Sequence, residues 1–262
     1  MSDLAAGGAP RGGVGPHRRA VSEHAAECVG TIQPEPVCGA PGRAYPLARV
    51  RIAHAYLHGL GSGPSSRKGA ALRAAYASRG VDVLVPELHL PSTRQLSIRA
   101  IWDHLMALDA SLGAPRWRLV GSSLGGWLAG RMARETGRVD RAVLLSAPLR
   151  LRGLWDRVLS EEARAQWKAR GSMLFPDVHG RMQRVGHSFY EDVVALGSEP
   201  NGPLPCPALF VHGTRDPLLT LEESREQAAM SGGELVVLDD DHELTSSIDL
   251  VTARALAFLE AG

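Results

Sequence analysis

Apolar residues fall into six short runs along the chain: "ARVRIAHAYLHG", "VDVLVPEL", "RWRLVGS", "RAVLLSAP", "PALFVHG" and "ELVVLDD". Each is bounded by Gly, Pro or Asp, as strands are. Between the second and third runs the spacing becomes helical, with Ile101, Leu105, Leu108 and Leu112 on one face. "SSRKGAALRAAYASRG" opens on serines able to cap a helix and closes on Gly80, a helix stop. Alternation of this kind specifies a parallel sheet with helices on both faces, so the expected class is α/β.

Two segments break the alternation. Residues 1–44, with "AAGGAPRGGVGPHRR" and "QPEPVCGAPGR", are rich in Gly and Pro, show neither period, and read as a flexible extension. Residues 149–203 hold no convincing strand but contain helical stretches such as "LWDRVLSEEARAQWKAR" and "SFYEDVVAL". A structureless loop of that length does not suit a compact domain, so a helical cap insertion is expected there, within a domain spanning 45–262. The insertion carries Trp155, Trp167, Met173, Phe175, Met182, Phe189 and Tyr190; two or three of the seven are expected only to anchor it on the sheet, and Trp155, Trp167, Phe175 and Phe189 are the candidates to shape an apolar substrate pocket.

The 262 residues are 44% hydrophobic and 22% charged, which suits one globular domain with an ample core. Lys plus Arg number 29 and Asp plus Glu 28, a balance that gives no electrostatic ground for a nucleic-acid partner. No apolar run approaches the roughly 20 residues of a membrane span, and no secretory signal is evident. The start is basic, but Glu23, Glu27 and the missing amphipathic stripe weigh against a transit peptide, so a cytoplasmic location is expected. Cys28, Cys38 and Cys206 lack the spacing of a disulfide framework or a zinc site, and no metal is expected.

Candidate chemistry concentrates in "RWRLVGSSLGGWLAG". Gly121-Ser122-Ser123-Leu124-Gly125 fits G-x-S-x-G, and it stands between a strand-like and a helix-like stretch, where a nucleophile elbow lifts its serine above the sheet edge. Ser123 is thus the candidate nucleophile, with Ser122 structural. A serine hydroxyl needs a base and an acid to orient that base. His242 in "VVLDDDHELTS" follows the last strand-like run, at the carboxyl edge where sites of α/β folds lie. Asp216 in "HGTRDPLL" is the candidate acid. Asp239, Asp240 and Asp241 compete by proximity but suit a solvated turn better, with Asp241 a candidate for holding the histidine loop. The chain order Ser, Asp, His is that of the α/β-hydrolases. For a developing oxyanion, the amides of Leu124, after the nucleophile, and Leu60, in "AYLHGLGSGPSS", are the expected donors.

"GLGSGPSSRK" is glycine-rich but meets neither G-x-x-x-x-G-K-[ST] nor G-x-G-x-x-G, so nucleotide binding is not expected. Arg67 and Lys68, which end it, read as solvated helix charges, with contact to an anionic substrate group as the alternative.

Together "YLHGLGSGPSSRK", "GSSLGGWLA", "CPALFVHGTRDPLL" and "DDDHEL" resemble the α/β-hydrolase superfamily across residues 50–260. Within it, the chain is similar to small bacterial esterases and to the abhydrolase group with acyl-glucuronide esterase and protein depalmitoylase activities. The resemblance implies an eight-stranded, mostly parallel sheet, a Ser-His-Asp triad, no cofactor, and hydrolysis of a small-molecule acyl ester or thioester through an acyl-enzyme. C–C bond hydrolases, cofactor-free peroxidases and a non-catalytic binding module use the same scaffold and stay open at this point.

Overall fold

The computed structural model describes residues 51–196 and 202–261; the expected N-terminal extension lies outside the described residues. All six apolar runs form strands: β1 (Ile52–Leu57), β2 (Val83–Leu84), β3 (Arg116–Ser122), β4 (Val139–Leu145), β7 (Ala208–Gly213) and β8 (Glu234–Leu238). They pair in the order β2-β1-β3-β4-β7-β8, each neighbouring pair parallel. Strands buried on both faces carry near-continuous apolar runs, and "ALFVHG" of β7 is buried throughout.

Alternate side chains divide between two cores. Tyr56, Val143, Leu145, Leu209 and Val211 face helices α1 (Arg67–Ala77) and α8 (Ile248–Glu260). Leu57, Leu144 and Phe210 face the other layer, which includes α2 (Ile98–Ser111), α3 (Leu124–Thr136) and α7 (Leu221–Ser231). The period of two along each strand produces this division. Serines begin the helices as the sequence suggests: Ser66 accepts the Gly69 amide at 3.1 Å and Ser97 the Ala100 amide at 3.2 Å.

Two expectations are corrected. The main sheet has six strands among the described residues rather than eight, and it is wholly parallel. Among the described residues, every main-sheet strand after β1 arrives by a crossover, as parallel neighbours require.

The insertion is not all helical. Between α5 (Glu161–Arg170) and α6 (Ser188–Ala195), with α4 (Leu151–Val158) ahead of both, lies an antiparallel hairpin of β5 (Ser172–Pro176) and β6 (Met182–Gly186). Gly171 at φ 67° stops α5 in the left-handed conformation. Asp177 knits the hairpin turn, its Oδ1 accepting the amides of His179 and Arg181 at 2.8 Å each. Trp167 is fully buried at the centre of the insertion, 5.1 Å between ring centres from Phe175, and donates Nε1 to the Val185 carbonyl at 3.0 Å. Ser97 Oγ donates to Asp192 at 2.6 Å, which ties α6 to the start of α2.

Candidate active site

The register aligns the carboxyl ends of the strands. Leu57 pairs with Gly121, Ser122 with Leu145, Leu145 with Val211, and Gly213 with Leu238. The residues just beyond these pairs, His58, Ser123, Thr214 and Asp239, therefore emerge along one edge, in a parallel sheet the edge where binding sites form.

Ser123 links β3 to α3 at φ 52° and ψ −117°, a conformation that residues with a Cβ rarely adopt. The turn is that tight because α3 starts directly against β1. A Cβ on Gly125 would run into the Leu57 carbonyl and stand 2.7 Å from that of His58, and one on Gly121 would stand 2.6 Å from the Gly126 Cα. The glycines of the motif thus answer to backbone contact on both sides of the serine. Leu124 is the first residue of α3, where an amide has no partner inside the helix.

Opposite the elbow, Gly59 lies against Ser123, and the loop continues to Leu60. His58 holds this loop from within the core. Its Nε2 accepts the Leu88 amide at 3.1 Å, so its Nδ1 carries the proton and donates to the Gly59 carbonyl at 2.9 Å. Burial lowers its pKa, favouring the neutral ring that this pattern needs. The Leu60 N–H shares a peptide plane with that carbonyl, so the same bond sets its direction.

Asp216 and His242 come from the turns after β7 and β8. Asp216 Oδ2 accepts from His242 Nδ1 at 2.7 Å, while its Oδ1 accepts the amides of Leu218 at 2.8 Å and Leu219 at 3.0 Å. Burial of the carboxylate opposes its charge, but the hydrogen bond and charge of His242 and the two amides outweigh that and hold its pKa below the usual range. The two turns approach closely because residue 213 lacks a side chain: a Cβ there would stand 2.5 Å from the carbonyls of Asp240 and Asp241.

Of the three neighbouring aspartates, Asp240 alone departs from expectation. Asp239 pairs with Arg215 at the surface, and Asp241 Oδ1 accepts the Glu243 amide at 2.9 Å. Asp240, expected among solvated turn residues, is buried and receives the Asp241 and Ser247 amides at 2.8 Å each. It ties the loop to the start of α8.

Ser123, Leu124, Leu60 and His242 all line one cavity of about 560 Å³ under the insertion. Trp155, Phe175 and Phe189 line it too, with Leu151, Leu154 and Val185; Trp167 is outside the lining, behind Trp155 and Phe175. The cavity wall also contains Lys68, which the sequence reads as solvated. Instead it is buried, with Nζ 2.6 Å from the Glu243 carbonyl and 3.3 Å from its carboxylate. Burial lowers its pKa against the raising effect of Glu243 and its neighbours. Its partner is 175 positions away, so no local pattern signals the contact. Cys206, the one cysteine among the described residues, is buried with its thiol pushed up to about 11 by burial, and it does not line the cavity.

Residues 53–260 match the model of an uncharacterised protein family, UPF0227. The chain belongs to that family. No curated protein matches it in sequence. Its fold is that of the α/β-hydrolases, shared with several solved structures. A hydrolase-assigned protein from Agrobacterium vitis S4 superposes with a TM-score of 0.68 at 22% identity, covering 80% of this chain and 88% of that one. Mouse α/β-hydrolase domain-containing protein 10 gives 0.64 at 18% identity, covering 79% and 89%. A structure from the work on LipS and LipT, metagenome-derived lipolytic enzymes, gives 0.64 at 18% identity, covering 81% and 94%. Among the described residues, no helix is long and apolar enough to cross a membrane.

Proposed function

We propose that this UPF0227 member is a serine hydrolase of carboxylic esters or thioesters. The observation that carries the reading is the 2.7 Å bond from His242 Nδ1 to a buried Asp216, on the wall of the cavity into which the Ser123 elbow opens. A neutral imidazole whose Nδ1–H is held by a carboxylate presents Nε2 as a base. His242 then takes the Ser123 proton as Oγ adds to the acyl carbon. The oxyanion is met by the Leu124 and Leu60 amides. Collapse of the adduct breaks the bond to the leaving oxygen or sulfur, which departs with the proton from His242. Water, activated by the same imidazole, releases the acid and restores the serine. The apolar lining of Trp155, Phe175 and Phe189 supports an apolar acid half.

The test is covalent labelling with a fluorophosphonate, read by intact mass, alongside turnover of p-nitrophenyl esters and acyl thioesters from C2 to C16. One adduct on Ser123 and turnover of one series are expected. Ser123→Ala removes the adduct and lowers kcat by about 10³-fold or more, whereas Ser122→Ala keeps both. A protein that neither labels nor turns over any member is a binding module, and the proposal fails.

A further inference from the structure

Beside the apolar cavity lies a smaller one, of about 240 Å³, with a polar lining. Ser62, Lys68, Gln183 and Glu243 border both. So does a bridge between the hairpin tip and the loop after β1, in which the Val178 amide donates to the Gly61 carbonyl at 2.9 Å. We infer that the second compartment receives the leaving group of the ester, and that this leaving group carries an anionic substituent. The inference rests on the serine-hydrolase reading above.

Direction comes from the chemistry. The imidazole that takes the serine proton hands it to the departing atom, so the leaving group lies on the His242 side of the acyl carbon. That side is built by Glu243, next in sequence to His242, and by Lys68 bonded to it, the two residues that also wall the second cavity. The aromatic wall of the insertion is left for the acid half. One substrate with an apolar acid and a polar alcohol or thiol then occupies both compartments.

Sign comes from the charges. The second cavity is bordered by the cations Arg67, Lys68 and Arg181 and the carboxylates Asp177 and Glu243. Both carboxylates are already engaged. Glu243 pairs with Lys68 at 3.3 Å and Asp177 with Arg181 at 2.9 Å. Asp177 also accepts two backbone amides and the Gln183 side chain; these bonds overcome the opposing effect of burial and hold its pKa well below the carboxylate range. Arg67 is exposed and has no ion pair among the described residues, so its charge is uncompensated. Ser62, Ser65 and Thr245 add hydroxyl donors around it. A guanidinium can take a carboxylate or phosphate through paired hydrogen bonds.

The experiment compares two hexanoate esters of different charge on the leaving phenol: the ester of 4-hydroxybenzoate, anionic, and that of 4-hydroxybenzamide, neutral. Each kcat/KM is divided by the ester's own rate of hydroxide hydrolysis, which removes the difference in leaving-group acidity. In the wild type, kcat/KM is expected to favour the anionic ester, with the preference fading as salt rises. Arg67→Glu is expected to lower the anionic-to-neutral ratio about tenfold, through KM, while Arg67→Lys retains most of the preference. A wild-type ratio of one or below, or a ratio that Arg67→Glu leaves unmoved, overturns the inference while the hydrolase reading stands. Loss of the hydrolase reading has a separate signature, no turnover of either ester together with no phosphonate adduct on Ser123.

Discussion

Replacing Asp216 by Asn exchanges one oxygen for an NH₂, and the surrounding hydrogen bonds dictate how the new side chain must sit. Oδ1 accepts two backbone amides, Leu218 at 2.8 Å and Leu219 at 3.0 Å, and Oδ2 accepts from His242 at 2.7 Å. An asparagine has only one oxygen, and the two amides require it. Its NH₂ is thereby turned toward His242 Nδ1. Two donors cannot share that contact, so the imidazole moves its proton to Nε2 and offers a lone pair at Nδ1. Nε2 then has nothing with which to accept the serine proton. The opposite amide orientation leaves two amides facing an NH₂, at about 1 to 3 kcal/mol for each donor left unsatisfied, so it is no cheap escape. Loss of the correct tautomer is associated with about a 10⁴-fold drop in rate. That corresponds to about 5 kcal/mol of transition-state stabilisation. The assay is kcat/KM on the best activated ester found, with urea unfolding as the control for fold. Asp239→Asn and Asp241→Asn are expected to keep about a tenth or more of wild-type kcat/KM, a loss of at most about 1.4 kcal/mol. Asp240→Asn, at a buried loop tie, is expected to keep a similar share of activity and to lower the unfolding midpoint instead. If Asp216→Asn stays near wild type while Asp241→Asn is crippled, the acid is misassigned.

Gly125→Ala forces a Cβ onto two backbone carbonyls and is expected to destabilise by about 1 to 3 kcal/mol or more, a fall of several degrees in Tm. Gly63→Ala, with open space around it, is the control, and equal Tm values would refute the close approach. Trp155→Ala, Phe175→Ala and Phe189→Ala are expected to shift the preferred acyl length, each methylene being worth about 1 kcal/mol or more. Trp167→Ala, outside the lining, is expected to cost about 3 to 5 kcal/mol of stability with the length profile kept; a changed profile at full stability would reverse that assignment. Because the folded-state pKa of Asp177 lies below its unfolded value, its contribution is complete above about pH 4 and fades as pH falls further. The difference in urea midpoint between wild type and Asp177→Asn is therefore expected to shrink from pH 5 toward pH 2, and a widening would contradict it.

The sheet is legible in the sequence because each parallel strand is a buried apolar run, and all six runs pair as strands. The elbow is legible because its glycines and its place between β3 and α3 are local features. The hairpin is not. "SMLFP" and "MQRVG" are five residues each, with much of their surface exposed, so neither gives a period long enough to separate strand from helix. Trp167 groups with the pocket aromatics in sequence because composition cannot tell which face of a small helical layer points inward. Lys68 reads as solvated because only the fold brings Glu243 to it.

Every pairing in the main sheet is parallel, and its edge-to-edge order follows the chain apart from the exchange of β1 and β2. No two neighbouring strands can zip from a tight turn, so each contact must close a long loop before it is rewarded. The site inherits that dependence, for its serine, acid and histidine arrive with β3, β7 and β8, and Lys68 locks the first helix to the last of these turns across 175 residues. A chain still emerging from synthesis can thus own a finished elbow and remain inert. Under the proposed function, catalytic competence appears only when β8 docks, which makes recovery of turnover after dilution from urea an expected reporter of complete folding, trailing the return of helical signal.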